Sequence, residues 1–346
     1  METIDQATVG PVKADATFPG RIRRWAYRTA LAVAPLWAFT RVAGLETNVL
    51  AYTPATQLLA FTPYAAVLSL IPLAVTAVRR EWPAAAVALV ATLTLVTCTL
   101  PRAFGGPVAA ARPGGPTLRV LTANLSLGEA DANAVVALVR AHHPDVLLLQ
   151  EYTPEAETAF DRAGIAALLP YRITHPSDLA AGSALFSRLP LEDPGYRKNW
   201  GGFYQVHATV APPGGAPVLL ESVHTCSPFS LGQLHCWRTD MAREPHADDS
   251  PPGTLRILAG DFNATLDHSP LRTLIGHGYR DAAEAVGAGL VGTWGPYGRH
   301  PFVPPVALDH VLAATPIGIG SVSVYGVPRT DHRAVLATLT LPPPEH

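Results

Sequence analysis

The sequence predicts an α/β domain that follows an apolar, helical N-terminal region. Only 15% of the residues are charged, and the mean hydropathy of +0.19 is high for a wholly soluble protein. The long uncharged runs all lie within the first hundred residues. From residue 117 onward, short β-rich runs alternate with segments of helical spacing. The length of this second part suffices for one large hydrophobic core.

Two uncharged runs in the N-terminal region are each long enough to cross a hydrocarbon core of about 30 Å as a helix. They occupy residues 57–78 and 82–100. The alternative is a pair of helices buried in a protein core. Apolarity on all sides leaves no polar face, and we therefore interpret both runs as membrane spans.

The placement of arginine predicts a third span at residues 29–50. One arginine cluster precedes it at residues 21–28, and Arg79 and Arg80 separate the two longer runs. Positive clusters remain in the cytoplasm. Both clusters can lie there only if the chain crosses the membrane once more before the run at residues 57–78, so residues 29–50 must form a span. Arg41 would then extend to the outer interface. Three spans then place the rest of the chain outside the cytoplasm. The predicted location is the cell membrane, multi-pass, with an extracytoplasmic domain.

The sequence thus divides into four predicted parts. Residues 1–20 form a disordered tail, and residues 21–102 form the transmembrane region. Residues 103–116 are rich in Gly, Pro and Ala, a composition typical of a flexible tether. Residues 117–342 form the α/β domain.

Strands and helices of the α/β domain are predicted from the period of the apolar residues. The predicted strands are 117–127, 145–152, 182–191, 202–210, 217–225, 254–262, 307–314 and 332–341. The predicted helices are 131–143, 153–169, 230–246 and 269–285.

Several of these strands end on a side chain that can bind a metal ion or a phosphate. The residues are Asn124, Glu151, His224, Asp261, Asn263, Asp309, Asp331 and His332. Taken alone, such a residue is more often a cap or a turn residue. Loops at strand ends carry chemistry on a rigid scaffold, and the repetition of the pattern therefore predicts one shared site.

The residue types in this set indicate the chemistry. Carboxylate and amide oxygens favour Mg²⁺ or Mn²⁺ over zinc, and such ions neutralise charge on phosphate esters. An aspartate can accept a proton from attacking water, and a protonated histidine can stabilise the transition state or assist the leaving group. The set predicts a metal-dependent phosphoesterase.

Seven short motifs, in this order along the chain, resemble the endonuclease/exonuclease/phosphatase (DNase I-like) superfamily. They are ANLS, LLLQE, SALFSRLP, SVHT, GDFN, LDHV and TDHRAV. The resemblance covers about residues 117–342. It implies a four-layer α/β/β/α sandwich whose active site lies at one end of two packed sheets.

The resemblance also implies a role for the strand-end residues. Glu151 resembles the principal metal ligand, and Asn124 its neighbour in the shell of metal and phosphate. Asp261 resembles the residue that orients or deprotonates water. Asn263 would hold that water or the phosphate, and His224 would contact phosphate.

The last two motifs imply an Asp–His pair formed by Asp309 and His332, with Asp331 completing the metal side. Two positions depart from the family pattern. Thr330 replaces the usual serine but retains the hydroxyl group. Ser126 stands where many nucleases carry an acid, which argues against a second metal site.

Cys226 and Cys236 follow His224 closely. If the domain lies outside the cytoplasm, they can form a disulfide that fixes the loop behind this histidine. The alternative is two packed thiols.

The substrate is predicted from charge and location. Residues 117–346 carry fifteen Lys and Arg against twenty-two Asp and Glu, which disfavours nucleic acid as a partner. The architecture resembles actinobacterial membrane phosphatases linked to glycopeptide resistance (VanJ-like), which act on undecaprenyl pyrophosphate. The leading hypothesis is a hydrolase of lipid-linked phosphate or pyrophosphate. The alternatives are a membrane-tethered nuclease, a nucleotide or phospholipid phosphodiesterase, and a pseudoenzyme that binds an anion. No protein partner is predicted.

Overall fold

Two six-stranded β-sheets pack face to face, and helices cover their outer faces. The computed structural model describes residues 18–51, 53–295 and 303–344. The strands are β1 Thr117–Asn124, β2 Val146–Gln150, β3 Tyr171–His175, β4 Ser183–Ser187, β5 Glu192–Lys198, β6 Tyr204–Val210, β7 Val218–His224, β8 Leu255–Asp261, β9 Tyr279–Asp281, β10 Asp309–Ala314, β11 Gly318–Gly326 and β12 Arg333–Thr340. The helices are α1 Phe18–Ala43, α2 Ala55–Leu59, α3 Thr62–Leu68, α4 Leu70–Val78, α5 Trp82–Thr99, α6 Ala132–His142, α7 Pro154–Arg162, α8 Leu234–Met241, α9 Ser269–Gly276 and α10 Ala282–Ala285.

Side-chain alternation along the strands creates the layers. In β1, Leu118 and Val120 enter the core between the sheets, whereas Leu121 and Ala123 pack beneath α6 and α7. The second sheet packs its outer face against α8 and α9, around Trp237. Since successive side chains of a strand point to opposite faces, one buried strand supplies two cores. The α/β fold class predicted from the sequence is observed.

The strand order brings the predicted polar strand ends to one edge. The sheets have the orders β11-β12-β1-β2-β4-β3 and β5-β6-β7-β8-β10-β9. The parallel pairs β1–β2 and β7–β8 lie at their centres. Asn124 lies opposite Gln150, and Asp261 lies opposite both His224 and Asp309. The register therefore gathers the strand ends of both sheets.

All eight predicted strands are present, and the described residues form four more that were not predicted: β3, β5, β9 and β11. Their sequences are partly exposed and carry charged residues, glycine or proline, so they lack a continuous apolar pattern. The predicted helix 269–285 is also wrong in its second half. It ends at Gly276, and β9 follows before the short α10.

The N-terminal region is helical, but its segments differ from the predicted spans. One helix among the described residues is long and apolar enough to cross a membrane. It is Trp82–Ala103, which consists of α5 and the 3-10 turn Leu100–Ala103 that follows it. Only residues 29–43 of the predicted span 29–50 belong to α1, which ends at Ala43 because Gly44 adopts a left-handed conformation with φ 62°. Residues 44–50 form turns. Residues 1–17 of the predicted tail lie outside the described residues, and residues 18–20 belong to α1.

The predicted span 57–78 is divided among α2, α3 and α4. Proline has no backbone N–H to continue a helix, and Pro63 stands in the first turn of α3. The hydroxyl groups of Thr62 and Ser69 bond to nearby carbonyls at the breaks, a local alternative to helical bonding. A bundle of three continuous spans is therefore not established.

Arg41 does not extend to a water interface, and that expectation is wrong. It is buried, and its Nε donates to Oδ1 of Asp267 at 2.7 Å. Arg102, after α5, donates to both carboxylate oxygens of Asp267 at 2.8 Å. The helical region is thus joined to the α/β domain through a buried ion-pair cluster of these three residues.

The segment 103–116, expected to be a flexible tether, runs along the α/β domain instead. Val108 forms an antiparallel bridge with Ile319 of β11. The backbone N–H of Ala111 donates to the carbonyl oxygen of Pro316 at 2.9 Å. These bonds fix the segment against the edge of the first sheet, so the helices and the domain are connected by ordered chain.

Candidate active site

Asp261 lies at the centre of the residues that the strand ends bring together. It is 2% exposed. Its Oδ2 accepts from Nδ2 of Asn124 at 3.0 Å and from Nδ2 of Asn263 at 3.4 Å. The same oxygen lies 3.7 Å from Nε2 of His332 and 3.9 Å from Nε2 of His224. One carboxylate oxygen therefore faces two amides and two imidazoles.

Burial raises the pKa of Asp261 to about 6. The negative charge of Asp309 acts in the same direction, whereas His332 and His224 oppose it. The backbone N–H of Asn263 donates to Oδ1 of Asp261 at 2.8 Å and favours the charged form. A carboxylate whose pKa lies close to neutrality is suited to general-base catalysis.

His332 and Asp309 form a buried pair. Nδ1 of His332 lies 2.9 Å from Oδ2 of Asp309. Burial alone would lower the pKa of His332, but the carboxylates of Asp309 and Asp261 raise it to about 10. The imidazole is therefore protonated at neutral pH, and its Nε2 carries a proton on the side of Asp261.

Thr293 fixes this pair and was not predicted. Its hydroxyl group donates to Oδ2 of Asp309 at 2.7 Å and accepts from the backbone N–H of the same residue at 2.9 Å. Asp309 Oδ2 thus receives bonds from both Thr293 and His332. A threonine in a segment without regular structure gives no sequence signal for this contact.

Glu151 follows β2 and joins the cluster from the first sheet. Its Oε1 accepts from Nδ2 of Asn124 at 3.0 Å and lies 3.7 Å from Nε2 of His224. Its Oε2 accepts from the backbone N–H of Leu127. Asn124 therefore bridges Glu151 and Asp261 through its amide nitrogen, while its Oδ1 accepts from Ser126 at 2.9 Å.

Four non-glycine residues around the cluster have left-handed backbone conformations. They are Ser126 (φ 46°), Leu127 (φ 58°), Glu151 (φ 57°) and Asn263 (φ 48°). Such conformations are strained for most side chains and persist where the surrounding structure imposes them, often at functional sites. Two of the four, Glu151 and Asn263, are predicted site residues.

His224 is oriented by the backbone. Its Nδ1 lies 3.2 Å from the carbonyl oxygen of Ala180, which can only accept, so Nδ1 carries a proton. Nε2 then faces Glu151 and Asp261. Nδ2 of Asn199 donates to the carbonyl oxygen of His224 at 2.8 Å and holds the end of β7. Neither Ala180 nor Asn199 was predicted from the sequence.

Asp331 is separate from the most compact group. One ligand atom from each of Asp261, Asp309 and His332 lies within 4.8 Å of the other two, and Asp331 is not part of this set. Its Oδ2 accepts from Nε1 of Trp294 at 3.0 Å. The structure thus places Asp331 against a tryptophan that the sequence analysis did not select.

Gln150 and Gly260 allow the two sheets to meet beneath the cluster. Nε2 of Gln150 donates to Thr122 in its own sheet at 3.1 Å and to Ser222 in the other sheet at 2.9 Å. Gly260 has φ 149°, and a Cβ there would lie 2.1 Å from the carbonyl oxygen of Val223 in the adjacent strand and 2.9 Å from Nε2 of Gln150 in the other sheet. The glycine of the GDFN motif is therefore required by close backbone contact.

Cys226 and Cys236 are bonded as a disulfide, with their Cα atoms 5.8 Å apart. The bridge closes the loop that begins two residues after His224. Oδ2 of Asp240 accepts from the backbone N–H of Cys226 at 3.0 Å. The loop is therefore fixed both covalently and by a buried carboxylate.

The donor set is compatible with a hard divalent cation. Glu151, Asp261 and Asp309 supply carboxylate oxygens, the ligands that Mg²⁺ and Mn²⁺ prefer. Oδ1 of Asp309 is buried and makes no hydrogen bond within the described part of the chain. An unpaired buried carboxylate oxygen is costly, and a cation or its water would satisfy it.

A model of the Endonuclease/Exonuclease/phosphatase family matches residues 121–332. The chain belongs to this family. Enzymes of this family hydrolyse phosphate ester bonds and typically depend on a divalent metal, and the protein is accordingly a hydrolase of this class. The matched range begins within β1 and ends at His332, so it contains every predicted site residue.

Solved structures share the fold at low identity. D. rerio TDP2 complexed with a single-strand DNA product is 16% identical with a TM-score of 0.53, over 65% of this chain and 99% of that one. An endonuclease/exonuclease/phosphatase from Beutenbergia cavernae is 20% identical with a TM-score of 0.52, over 65% of this chain and 72% of that one. Truncated Caenorhabditis elegans TDP2 is 19% identical with a TM-score of 0.53, over 65% and 98%. No curated protein matches the sequence.

Proposed function

We propose that the protein is a membrane-anchored, divalent-metal-dependent phosphoesterase that hydrolyses the phosphate or pyrophosphate group of a membrane lipid on the extracytoplasmic side. Undecaprenyl pyrophosphate is the leading substrate, in keeping with the resemblance to membrane phosphatases linked to glycopeptide resistance. One observation carries the proposal. Loops that adjoin the site residues His224, Asp261 and Asp309 contact the apolar N-terminal helices.

Besides the ion-pair cluster of Arg41, Arg102 and Asp267, three hydrogen bonds contribute to this contact. Nε2 of Gln57 donates to the carbonyl oxygen of Pro228 at 2.6 Å. The hydroxyl group of Tyr64 donates to the carbonyl oxygen of Pro305 at 2.7 Å. Nε2 of His268 lies 2.8 Å from the carbonyl oxygen of Thr56.

These contacts lie close to the site along the chain. Pro228 comes four residues after His224, and Pro305 comes four residues before Asp309. If the apolar helices lie in a bilayer, the site end of the domain is adjacent to the membrane surface. A phosphate attached to a lipid then reaches the site without leaving the membrane, and the anchor raises its effective concentration.

The proposed chemistry assigns one task to each side chain. Oδ2 of Asp261 accepts a proton from the attacking water, which Asn263 helps to hold. Protonated His332 donates a hydrogen bond to a phosphate oxygen and stabilises the charge that develops there. Asp309 orients the imidazole of His332, and His224 contacts the phosphate through its Nε2.

Glu151 is the proposed principal metal ligand, with an oxygen ligand from Asn124. Asp331, which the resemblance places on the metal side, would join the shell only if its carboxylate turned away from Nε1 of Trp294. A bound Mg²⁺ or Mn²⁺ would neutralise charge on the phosphate oxygens. In the present geometry Asn124 directs its amide nitrogen toward the carboxylates, so metal ligation requires its side-chain amide to rotate.

The extracytoplasmic location has two supports. The arginine clusters at residues 21–28 and 79–80 favour cytoplasmic ends for their helices. The disulfide between Cys226 and Cys236 is typical of an oxidising compartment.

A tethered nuclease is the second candidate, and one observation favours it. The D. rerio TDP2 structure of the same fold contains a single-strand DNA product. The net charge of −7 on residues 117–346 opposes this assignment, because DNA-binding surfaces attract phosphates with basic residues. A pseudoenzyme is disfavoured by the full set of acidic, amide and imidazole groups in the cluster.

The deciding experiment is phosphate release by the purified full-length protein in detergent with Mg²⁺. Undecaprenyl pyrophosphate and an oligodeoxynucleotide are offered in parallel, with Asp261→Ala as the inactive control. We expect hydrolysis of the lipid and none of the DNA. Hydrolysis of DNA alone would establish the tethered nuclease and refute the lipid substrate.

The pH dependence tests the Asp309–His332 pair. In wild type we expect activity to decline on the alkaline side as His332 loses its proton near pH 10. Asp309→Asn removes the charge that contributes most to raising the pKa of His332, so the alkaline decline should move to lower pH by about one unit or more. The measurement is kcat/KM against pH for both proteins. An unchanged alkaline limb would exclude His332 as the titrating group.

Membrane topology is tested with a C-terminal tag. We expect protease added to intact spheroplasts to remove the tag, since the domain is proposed to lie outside. A cytoplasmic marker protein must remain uncut in the same sample. Cleavage of the tag only after lysis would contradict the proposed orientation.

A further inference from the structure

We infer that the rim of the active site is a lipid-binding surface that rests on the bilayer beside the anchor. The apolar rim consists of Leu127, Leu179, Trp200, Phe229 and Leu231. This inference rests on the proposed function, because it assumes that the N-terminal helices lie in a membrane. It adds the surface by which the catalytic domain itself contacts the lipid.

The rim residues are large, apolar and exposed. Phe229 is 85% exposed and Leu179 is 71% exposed. Trp200 is 50% exposed, and Leu127 and Leu231 are each 47% exposed. Isolated exposed apolar residues are ordinary on protein surfaces, but a group of them around a site indicates an interaction surface.

Leu127 contacts the cluster through its own backbone, and Leu179 and Trp200 adjoin residues that bond to His224. The backbone N–H of Leu127 donates to Glu151. Leu179 precedes Ala180, whose carbonyl oxygen lies 3.2 Å from Nδ1 of His224. Trp200 follows Asn199, which donates to the carbonyl oxygen of His224.

These three residues come from three separate loops, after β1, before β4 and after β5. Leu127 and Leu179 belong to loops of the first sheet and Trp200 to a loop of the second, so both sheets contribute to the apolar rim.

The rim lies next to the contact between the α/β domain and the N-terminal helices. Phe229 adjoins Pro228, which accepts the hydrogen bond from Gln57 of α2. Leu58, the neighbour of Gln57, is 48% exposed. Val49 is 79% exposed in the turn between α1 and α2. A bilayer that covers Leu58 and Val49 therefore extends to Phe229 and Leu231.

A bilayer surface accounts for the residue types of the rim. Tryptophan concentrates at membrane interfaces, where its ring is apolar and its N–H remains hydrated. Moving the apolar area of exposed Phe and Leu side chains out of water lowers the free energy. The geometry therefore points to a substrate whose chain remains in the membrane while its phosphate enters between rim residues toward Asp261.

The first test compares two substrates with full-length protein in phosphatidylglycerol–phosphatidylcholine vesicles. Undecaprenyl pyrophosphate in the vesicle is the lipid substrate, and bis(4-nitrophenyl) phosphate is the water-soluble ester. We expect the double variant Phe229→Ser, Leu231→Ser to lower the ratio of lipid to soluble turnover at least tenfold. A ratio equal to that of wild type would overturn the inference.

Tyr171→Ser is the matched control. Tyr171 is 43% exposed and pairs with Ser187 at the end of β4 that is remote from the site, whereas Ser183 at the other end pairs with Gln150. This variant removes an exposed aromatic side chain from the opposite end of the sandwich. We expect Tyr171→Ser to leave the ratio of lipid to soluble turnover unchanged. An equal fall in this ratio in the control and in the double variant would contradict a specific role of the rim.

A second measurement detects membrane contact without any enzyme activity. In a Cys98→Ser background, Phe229→Cys and Tyr171→Cys are labelled with a fluorophore and reconstituted into vesicles that contain shallow doxyl-labelled lipids. We expect quenching at position 229 and none at 171. Absence of quenching at position 229 refutes the lipid-binding surface. The same result is expected if a second copy of the chain covers the rim, and that case refutes the inference as well.

The two measurements separate the inference from the proposed function. Quenching at position 229 together with hydrolysis of DNA but not of lipid would refute the substrate while supporting the surface. Lipid hydrolysis without quenching would support the substrate and refute the surface.

Discussion

Asp261→Asn is expected to lower the turnover of phosphate esters by about 10²–10⁴-fold, the range for loss of a general acid–base group. The substitution keeps the shape of the side chain but removes its ability to accept a proton. Oδ2 of Asp261 also receives two amide hydrogen bonds and faces two imidazoles. The variant therefore removes the charge at the centre of the cluster.

The measurement is steady-state hydrolysis at pH 8, where wild-type Asp261 is deprotonated. Asp161→Asn is the matched control, because Asp161 lies on the surface in an exposed pair with Arg172. We expect the control to retain full activity. Wild-type turnover by Asp261→Asn would exclude this residue as the base.

Asp267→Ala is expected to reduce the free energy of unfolding by about 3–5 kcal/mol, the cost of breaking a buried ion pair. Its carboxylate is 1% exposed and bonds to both Arg41 and Arg102. Removal of the carboxylate leaves two buried guanidinium groups without their countercharge. The loss should also weaken the docking of the N-terminal helices on the domain.

Chemical denaturation of the full-length protein in detergent measures this change. Asp161→Ala removes a surface carboxylate from an exposed pair and should cost about 0–1 kcal/mol. The triple variant Arg41→Met, Arg102→Met, Asp267→Leu replaces the whole cluster with apolar side chains and should recover most of the stability. A similar loss in the two single variants would contradict the importance of the buried cluster.

The same cluster predicts how stability depends on pH. Burial alone would raise the pKa of Asp267, but hydrogen bonds and charges from Arg102 and Arg41 hold it below its usual range. A depressed pKa contributes stability above the unfolded value of about 3.9. This contribution is lost as the pH falls through the lower folded pKa, so acid should release the helices from the domain.

The motifs identified the family because they consist of local sequence at strand ends. LLLQE, GDFN and TDHRAV each combine an apolar strand with polar residues at its boundary. A buried strand and the polar residues that follow it at the site can both be recognised from a few adjacent residues. For this reason the fold class and most of the cluster were predictable.

The partners of those residues were not predictable, because they are distant in sequence. Thr293 bonds to Asp309 from a segment with no regular pattern. Ala180 contributes only a carbonyl group to His224, and a backbone contact leaves no trace in the sequence. Asp331 shares a motif with His332 but turns toward Trp294.

The sequence by itself determined which polar side chains stand at the strand ends, which strands bear them and which N-terminal residues are apolar. Only the tertiary structure decided how the parts meet. Arg41 follows an apolar run and was expected at a water interface, yet it pairs with Asp267, 226 residues away. A charged side chain next to an apolar run must either reach water or pair with an opposite charge, because burying it unpaired is costly. The choice depends on which surface packs against it, and that is a property of the folded chain.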